Sequence, residues 1–136
     1  VGIVGDDQFV SHPKYNRQLV HMFYPKPNLY NHYFNFFETL LFQLRPKIKK
    51  LIRMKLNCNY PTDKIMDHGF HIDTEEDSKT SIFYLNTNNG YTKFEDNGEI
   101  VKSVENRMIT FDSSRRHSGS SCTDEYNRFV LNINWK

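Results

Sequence analysis

Asn127-Arg128-Phe129-Val130-Leu131-Asn132-Ile133-Asn134-Trp135 alternates apolar and polar residues from Arg128 onward except at Val130. In an extended chain Phe129, Leu131, Ile133 and Trp135 share one face, and Arg128, Val130, Asn132 and Asn134 share the other. The period of two predicts a strand with one greasy face and one more polar face. The segment Lys79 to Asn86 divides the same way, with Phe83 and Leu85 opposite Thr80, Ile82, Tyr84 and Asn86. Ile52 to Cys58 repeats the pattern, with Ile52, Met54 and Leu56 opposite Arg53, Lys55 and Asn57.

Further short runs read as strands at Gly69 to Asp73, Tyr91 to Glu95, Ile100 to Val104, Arg107 to Asp112 and His117 to Ser121. Turn-forming residues separate most of them, notably Asn88-Asn89-Gly90, Asn97-Gly98 and Ser118-Gly119. Many closely spaced strands joined by hairpin turns predict an antiparallel sandwich or jelly roll. The front of the chain is different. Tyr30, Tyr33, Phe34, Phe37, Leu40, Leu41 and Leu44 fall at the spacing of one helix face, which predicts a packing helix over 29–44. Pro46 interrupts it, and Lys47 to Leu51 is expected to add a helical turn. The expected architecture is mainly β with an N-terminal helix. It forms one domain over 1–136, with a helical front over about 1–51 and a β core over about 52–136.

With 136 residues, 38% hydrophobic and 15% aromatic, the chain is long enough to bury a core and an interior pocket. A net charge of +2 is too small to argue for a nucleic-acid partner, and no aromatic stacking platform joins a basic groove. The basic run Arg45, Lys47, Lys49, Lys50, Arg53 and Lys55 reads by default as a solvated face rather than a docking site for an acidic partner. Cys58 and Cys122 imply no disulfide framework and no close metal-binding pair, which fits a reducing, cytoplasmic setting. No apolar run approaches the length of a membrane span, so no membrane partner is expected. The chain opens at Val1 rather than Met, which leaves room for sequence upstream. Oligomeric state is unreadable from the residues.

The residues with the most chemical content are His71-Ile72-Asp73, His117 and Arg128. Two imidazoles and a carboxylate can occupy one face of an octahedral Fe(II) and leave the other positions open. A strand-borne arginine, always charged and planar, suits the far carboxylate of a chelating dicarboxylate, and 2-oxoglutarate is such a molecule. The bland rival is that a His-X-Asp triplet occurs often by chance. Read so, His71 is a surface histidine beside a turn aspartate.

The ordered series His71-Ile72-Asp73, Ile82-Phe83-Tyr84-Leu85-Asn86, Asn89-Gly90-Tyr91-Thr92-Lys93-Phe94, Asn106-Arg107-Met108-Ile109-Thr110-Phe111-Asp112, His117 and Arg128 resembles Fe(II)/2-oxoglutarate-dependent dioxygenases of the prolyl 4-hydroxylase type. The likeness runs over roughly Arg53 to Trp135 and looks closest to small bacteriophage and bacterial members. Arg53-Met54-Lys55-Leu56-Asn57 also looks like the strand that precedes the triad in phage-type members. The resemblance implies a double-stranded β-helix of cupin-like jelly-roll form. It implies His71, Asp73 and His117 as metal ligands and catalytic centre, and Arg128 as partner of the distal carboxylate of 2-oxoglutarate. It implies Tyr84 as a support for that carboxylate and Tyr60, less cleanly spaced, as a residue lining the site. As a core tyrosine with a satisfied hydroxyl, Tyr84 has an equally good bland reading. Where relatives carry a glycine pair, this chain has Asn89-Gly90.

The implied cofactors are Fe(II), 2-oxoglutarate and O2, with ascorbate a candidate reductant. The implied reaction is hydroxylation of an unactivated C–H with release of succinate and CO2. A prolyl or other side chain of a protein or peptide is the first substrate class. The same chemistry on a free amino acid, a small metabolite or a methylated nucleobase is the alternative. A non-catalytic jelly-roll binding module is the alternative of another class. A phage origin would place the protein in the host cytoplasm. Selection of substrate is expected in the loops Tyr60 to Phe70, Thr74 to Ser78 and Ser113 to Arg116. His68 points away from His71 on an extended strand and is expected on the substrate side at most. His12, His21 and His32 are expected to be structural or surface groups of the helical front. Arg107, Arg115 and Arg116 are expected to be solvated surface groups before substrate contacts.

Overall fold

Alternation along the last strand becomes the partition of the whole molecule. The computed structural model describes residues 17–24, 39 and 47–136. In chain order the strands are β1 (Gln18–Tyr24), β2 (Leu51–Asn59), β3 (Lys79–Tyr84), β4 (Tyr91–Phe94), β5 (Ile100–Lys102), β6 (Met108–Asp112), β7 (His117–Gly119) and β8 (Arg128–Trp135). They form a five-stranded sheet in the order β1-β2-β8-β3-β6 and a three-stranded sheet in the order β5-β4-β7. Every ladder is antiparallel.

β8 runs through the middle of the larger sheet, between β2 and β3. Its outward row, Leu131, Ile133 and Trp135, packs with Phe23 of β1 and Met54 of β2 into one core cluster, with Leu56, Phe83 and Leu85 against it. The Trp135 indole donates to Ser81 Oγ at 2.9 Å, which satisfies its one polar atom inside that cluster. The other row faces the smaller sheet. Val130 joins Ile82, Tyr84, Phe94 and Phe111 in a second cluster, and Arg128, Asn132 and Asn134 are buried on the same side. The interior between the sheets is therefore partly polar.

Two turns need special residues. Asn97-Gly98 links β4 to β5 with Gly98 at φ 69°, a conformation that L side chains resist. At Gly90, just before β4, an added Cβ would sit 2.6 Å from Arg128 Cδ, 2.8 Å from Ser121 O and 2.9 Å from Asn88 Oδ1.

Three sequence expectations are corrected. Within the expected helical front, Gln18–Tyr24 is the edge strand β1, paired antiparallel along β2 from Gln18↔Asn59 to His21↔Leu56. His21 therefore lies on a strand, edge-on to Phe23 with ring centroids 4.7 Å apart. β1 carries mixed apolar and polar residues on both faces, so its period was hidden, and pairing with β2 decides its conformation. Lys47 to Leu51 is not a helical turn: Lys50 N donates to Lys136 O and Lys136 N to Lys50 O, both at 2.8 Å, which ties the segment to the C-terminus. The helix expected over 29–44, apart from Thr39, lies outside the described residues, as do His12 and His32. Ser118-Gly119, read as a turn, lies within β7. No helix among the described residues is long and apolar enough to cross a membrane.

Leu131 is fully buried at the centre of its cluster. Leu131→Ala is expected to cost about 2–5 kcal/mol, read as a lower urea midpoint with an unchanged slope.

Candidate metal and carboxylate site

His71 and His117 are directly opposite each other, exchanging both backbone hydrogen bonds at 2.9 Å as an isolated antiparallel bridge. Residues paired in this way project their side chains to the same face. Their rings stand with centroids 4.6 Å apart. Asp73, two residues beyond His71, returns to that face, and the three side chains place their ligand atoms within 4.8 Å of one another. The strand expected over Gly69 to Asp73 is reduced to this single bridge, which is all the metal geometry needs.

Each imidazole is oriented by a carbonyl. His117 Nδ1 lies 3.0 Å from Arg115 O and His71 Nδ1 3.2 Å from Gly69 O. A carbonyl only accepts, so both Nδ1 atoms carry the proton and both Nε2 lone pairs are left for an ion. Burial holds the pKa of His117 below the ordinary imidazole value, opposed by its hydrogen bond to Arg115 O and by the Asp73 charge. It is neutral near pH 7, as metal ligation requires.

Asp73 is held by side chains from three strands. Its side chain is 1% exposed. Oδ2 accepts from Thr80 Oγ1 at 2.9 Å, Asn134 Nδ2 at 3.2 Å and Asn132 Nδ2 at 3.5 Å. Oδ1 accepts from Arg53 Nη2 at 3.1 Å and lies 3.9 Å from His71 Nε2. Arg53 is itself aimed by Asn134 Oδ1, at 2.8 Å from its Nε. Burial alone would raise this carboxyl. Lys55, His117, Arg53 and the Asn134 hydrogen bond together draw it below the usual carboxylate range. The result is a fixed carboxylate with a lone pair on Oδ1 facing the two imidazoles.

A cavity of about 90 Å³ opens beside the triad, lined among others by His71, His117, Lys55, Asn57, Thr92 and Arg128. That is several times what one water needs, enough for a small ligand. Its two ends differ. The His71 side chain at one end is 49% exposed. Arg128 at the other is 2% exposed. Its Nε donates to Ser103 Oγ at 2.8 Å and its Nη2 to Tyr91 O at 3.1 Å. No carboxylate pairs with Arg128 among the described residues. Burial lowers its pKa to about 10, with Tyr84 and Cys122 opposing, so the guanidinium stays charged at neutral pH. A buried, fixed cation without a counter-charge is costly, and an anionic ligand would remove that cost.

Tyr84 is wholly buried, its ring centroid 5.7 Å from the Arg128 guanidinium carbon. Its hydroxyl donates to Thr92 Oγ1 at 2.8 Å, and it is Thr92 that lines the cavity. Burial raises the Tyr84 phenol further. Tyr60 is 38% exposed and does not line the cavity, so the structure does not bring it to the site. His68, expected to point away, lines the same cavity as His71. Arg115 pairs with Asp96 and stacks on Phe94 at 3.7 Å, Arg116 pairs with Glu95, and Arg107 donates to Lys102 O.

Sequence reasoning missed Thr80, Asn132 and Asn134 as holders of Asp73, and read Arg53 and Lys55 as part of a solvated basic run. Alternation was the available signal: Arg53, Lys55 and Asn57 share the face of β2 that pairs with Asn134, Asn132 and Val130 of β8.

No family model and no curated protein matches the chain. Solved structures do. A Pseudomonas putida prolyl-4-hydroxylase matches with a TM-score of 0.61 and 15% identity, over 89% of this chain and 70% of that one. A Trichoplax adhaerens prolyl hydroxylase, solved in complex with a hypoxia inducible factor oxygen degradation domain peptide fragment, matches at 0.59 and 13%, over 87% and 62%. A cupin domain of an XRE family transcriptional regulator from Enterobacter cloacae matches at 0.52 and 11%, over 88% and 96%. The fold is a cupin-like jelly roll. At these identities the likeness speaks for the fold, and the site must carry the rest.

Because any β-carbon at position 90 overlaps Arg128, Gly90→Ala is expected to displace the guanidinium and cost about 1–3 kcal/mol. Thermal melting and Co(II) titration check this together: a lower melting temperature with unchanged metal affinity is expected, since the triad lies at the other end of the cavity.

Proposed function

We propose that the protein is an Fe(II)- and 2-oxoglutarate-dependent dioxygenase that hydroxylates an unactivated C–H. The single observation that carries this reading is the pairing, across one small cavity, of a His-Asp-His ligand set with a buried arginine that has no counter-charge. The donor set fits the metal: two neutral imidazole nitrogens and one carboxylate oxygen suit Fe(II) with open coordination positions. The cavity fits the co-substrate, since its far end offers a fixed guanidinium and the Thr92 hydroxyl. When bound, the iron and 2-oxoglutarate together would supply O2 activation coupled to decarboxylation, giving succinate, CO2 and a hydroxylated product.

The chain's own part is positioning. Arg128 would hold the distal carboxylate, braced by Ser103 and the Tyr91 carbonyl so that its planar fork has one orientation. Thr92 accepts the Tyr84 hydroxyl proton in a hydrogen bond, which leaves its own O–H free to donate into the cavity. His71, Asp73 and His117 would hold the metal, with Asp73 set by Arg53, Thr80 and Asn134 before any ion arrives. Closed at Arg128 and open at His71, the cavity would admit the co-substrate first and present the metal end to a second substrate.

That open metal end favours a side chain of a peptide or protein as the substrate, as does the peptide bound to the Trichoplax structure. Free amino acids, small metabolites and methylated nucleobases are the alternative class. A non-catalytic cupin module is the second reading, favoured by the likeness to the regulator's cupin domain.

Succinate formation from 2-oxoglutarate in the presence of Fe(II), O2 and ascorbate is the test, followed by screening of proline-containing peptides for the mass of one added oxygen. His71→Ala and Asp73→Ala are expected to abolish succinate formation. Arg128→Ala is expected to raise the apparent KM for 2-oxoglutarate about ten- to a hundredfold, the loss of a charge-assisted pair. Unchanged succinate formation in the triad variants would refute the assignment, and an unchanged KM would remove Arg128 from it.

A further inference from the structure

The inner face of the five-stranded sheet is a grid set by strand register. At the metal end Arg53, Asn134 and Thr80 are paired across β2, β8 and β3, and all three touch Asp73 or its partners. The next row is Lys55, Asn132 and Ile82, the next Asn57, Val130 and Tyr84, and the last Asn59 and Arg128. Successive rows lie about 6.7 Å apart along the strands. Lys55 thus stands one row from the triad's carboxylate and two rows from Arg128, and it lines the same cavity.

No ion pair engages Lys55 among the described residues. The nearby acid, Asp73, is hydrogen-bonded by Arg53, Thr80, Asn132 and Asn134 and makes no ion pair with Lys55. Burial, and then the Arg53 charge, holds the Lys55 ammonium below its ordinary pKa, with Asp73 only partly opposing. Around it the buried carboxamide oxygens of Asn57, Asn59 and Asn132 have no hydrogen-bond partner. All three residues line the cavity, so its natural filling is polar. Two basic side chains with no ion pair among the described residues, Lys55 and Arg128, therefore line one small polar space.

We propose that Lys55 is a second anion-binding residue of this cavity, holding the metal-side carboxylate of a dianion whose other carboxylate sits on Arg128. The proposal rests on the cavity being the co-substrate site, and it makes the protein itself, before any metal binds, selective for dicarboxylates over monocarboxylates. The distal carboxylate alone would engage Arg128. Both together would neutralise the cavity.

Isothermal titration of the metal-free protein, kept in chelator, separates this from the oxygenase reading. The ligands are 2-oxoglutarate and butyrate, a monoanion of comparable reach. The parent is expected to bind 2-oxoglutarate well above butyrate. Lys55→Met is expected to weaken 2-oxoglutarate about tenfold or more, leave butyrate unchanged and melt at or above the parent's temperature. Lys55→Arg, which keeps the charge, is expected to recover most of the affinity. Equal 2-oxoglutarate affinity in parent and Lys55→Met would overturn the proposal. So would equal losses for both ligands in a variant with lowered melting temperature, which would make Lys55 structural, or no binding to the metal-free parent. Dianion binding that depends on Lys55, in a protein that forms no succinate with Fe(II), would sustain the inference and sink the dioxygenase reading.

Discussion

Asp73 carries a carboxylate withdrawn almost completely from water, and an ion so placed must be compensated by charge and hydrogen bonds or it will take up a proton. Its compensation comes from three strands at once: Arg53 on β2, Thr80 on β3, and Asn132 and Asn134 on β8. Arg53, Asn134 and Thr80 are paired across the sheet and Asn132 shares their face, so the register that aligns the strands also assembles the cage. A slip of one residue in β8 would turn Asn132 and Asn134 outward and Leu131 and Ile133 inward, losing the cage and the outer core together.

This explains why the sheet is inverted relative to a simple sandwich. Its outer face carries the larger apolar cluster around Leu131, Ile133 and Trp135, while the space between the sheets is shared by a smaller cluster and a polar cavity. Phe111 and Phe94 form the apolar floor on which His117 rests, with Phe111 edge-on to the imidazole at 4.8 Å. Burial among these rings lowers the pKa of His117. The polar row beyond it, ending in Arg128, is held open by the missing side chain of Gly90. The proposed metal ligands and the proposed anion-binding residues thus meet at the same interior cavity.

Strand content and the two faces of β8 were legible because period two is a local signal that long-range packing here reinforces. His71, Asp73, His117 and Arg128 were legible as an ordered series, although nothing local told that His71 and His117 would be direct partners across a bridge. β1 was not legible, since an edge strand with mixed faces takes its conformation from its neighbour. Arg53 and Lys55 were misread for a related reason: a basic residue in a strand reads as charged surface until the fold sets a buried acid or a cavity beside it. Tyr60 was placed by likeness alone, and which side chains line a cavity is what spacing in sequence does not encode.

Anaerobic titration of the purified protein with Fe(II) and then 2-oxoglutarate, followed in the visible region, bears most directly on the central claim. A weak charge-transfer band that needs both components and disappears in His71→Ala is the expected result. Folded protein that binds Fe(II) at the triad but yields no such band with 2-oxoglutarate would contradict it.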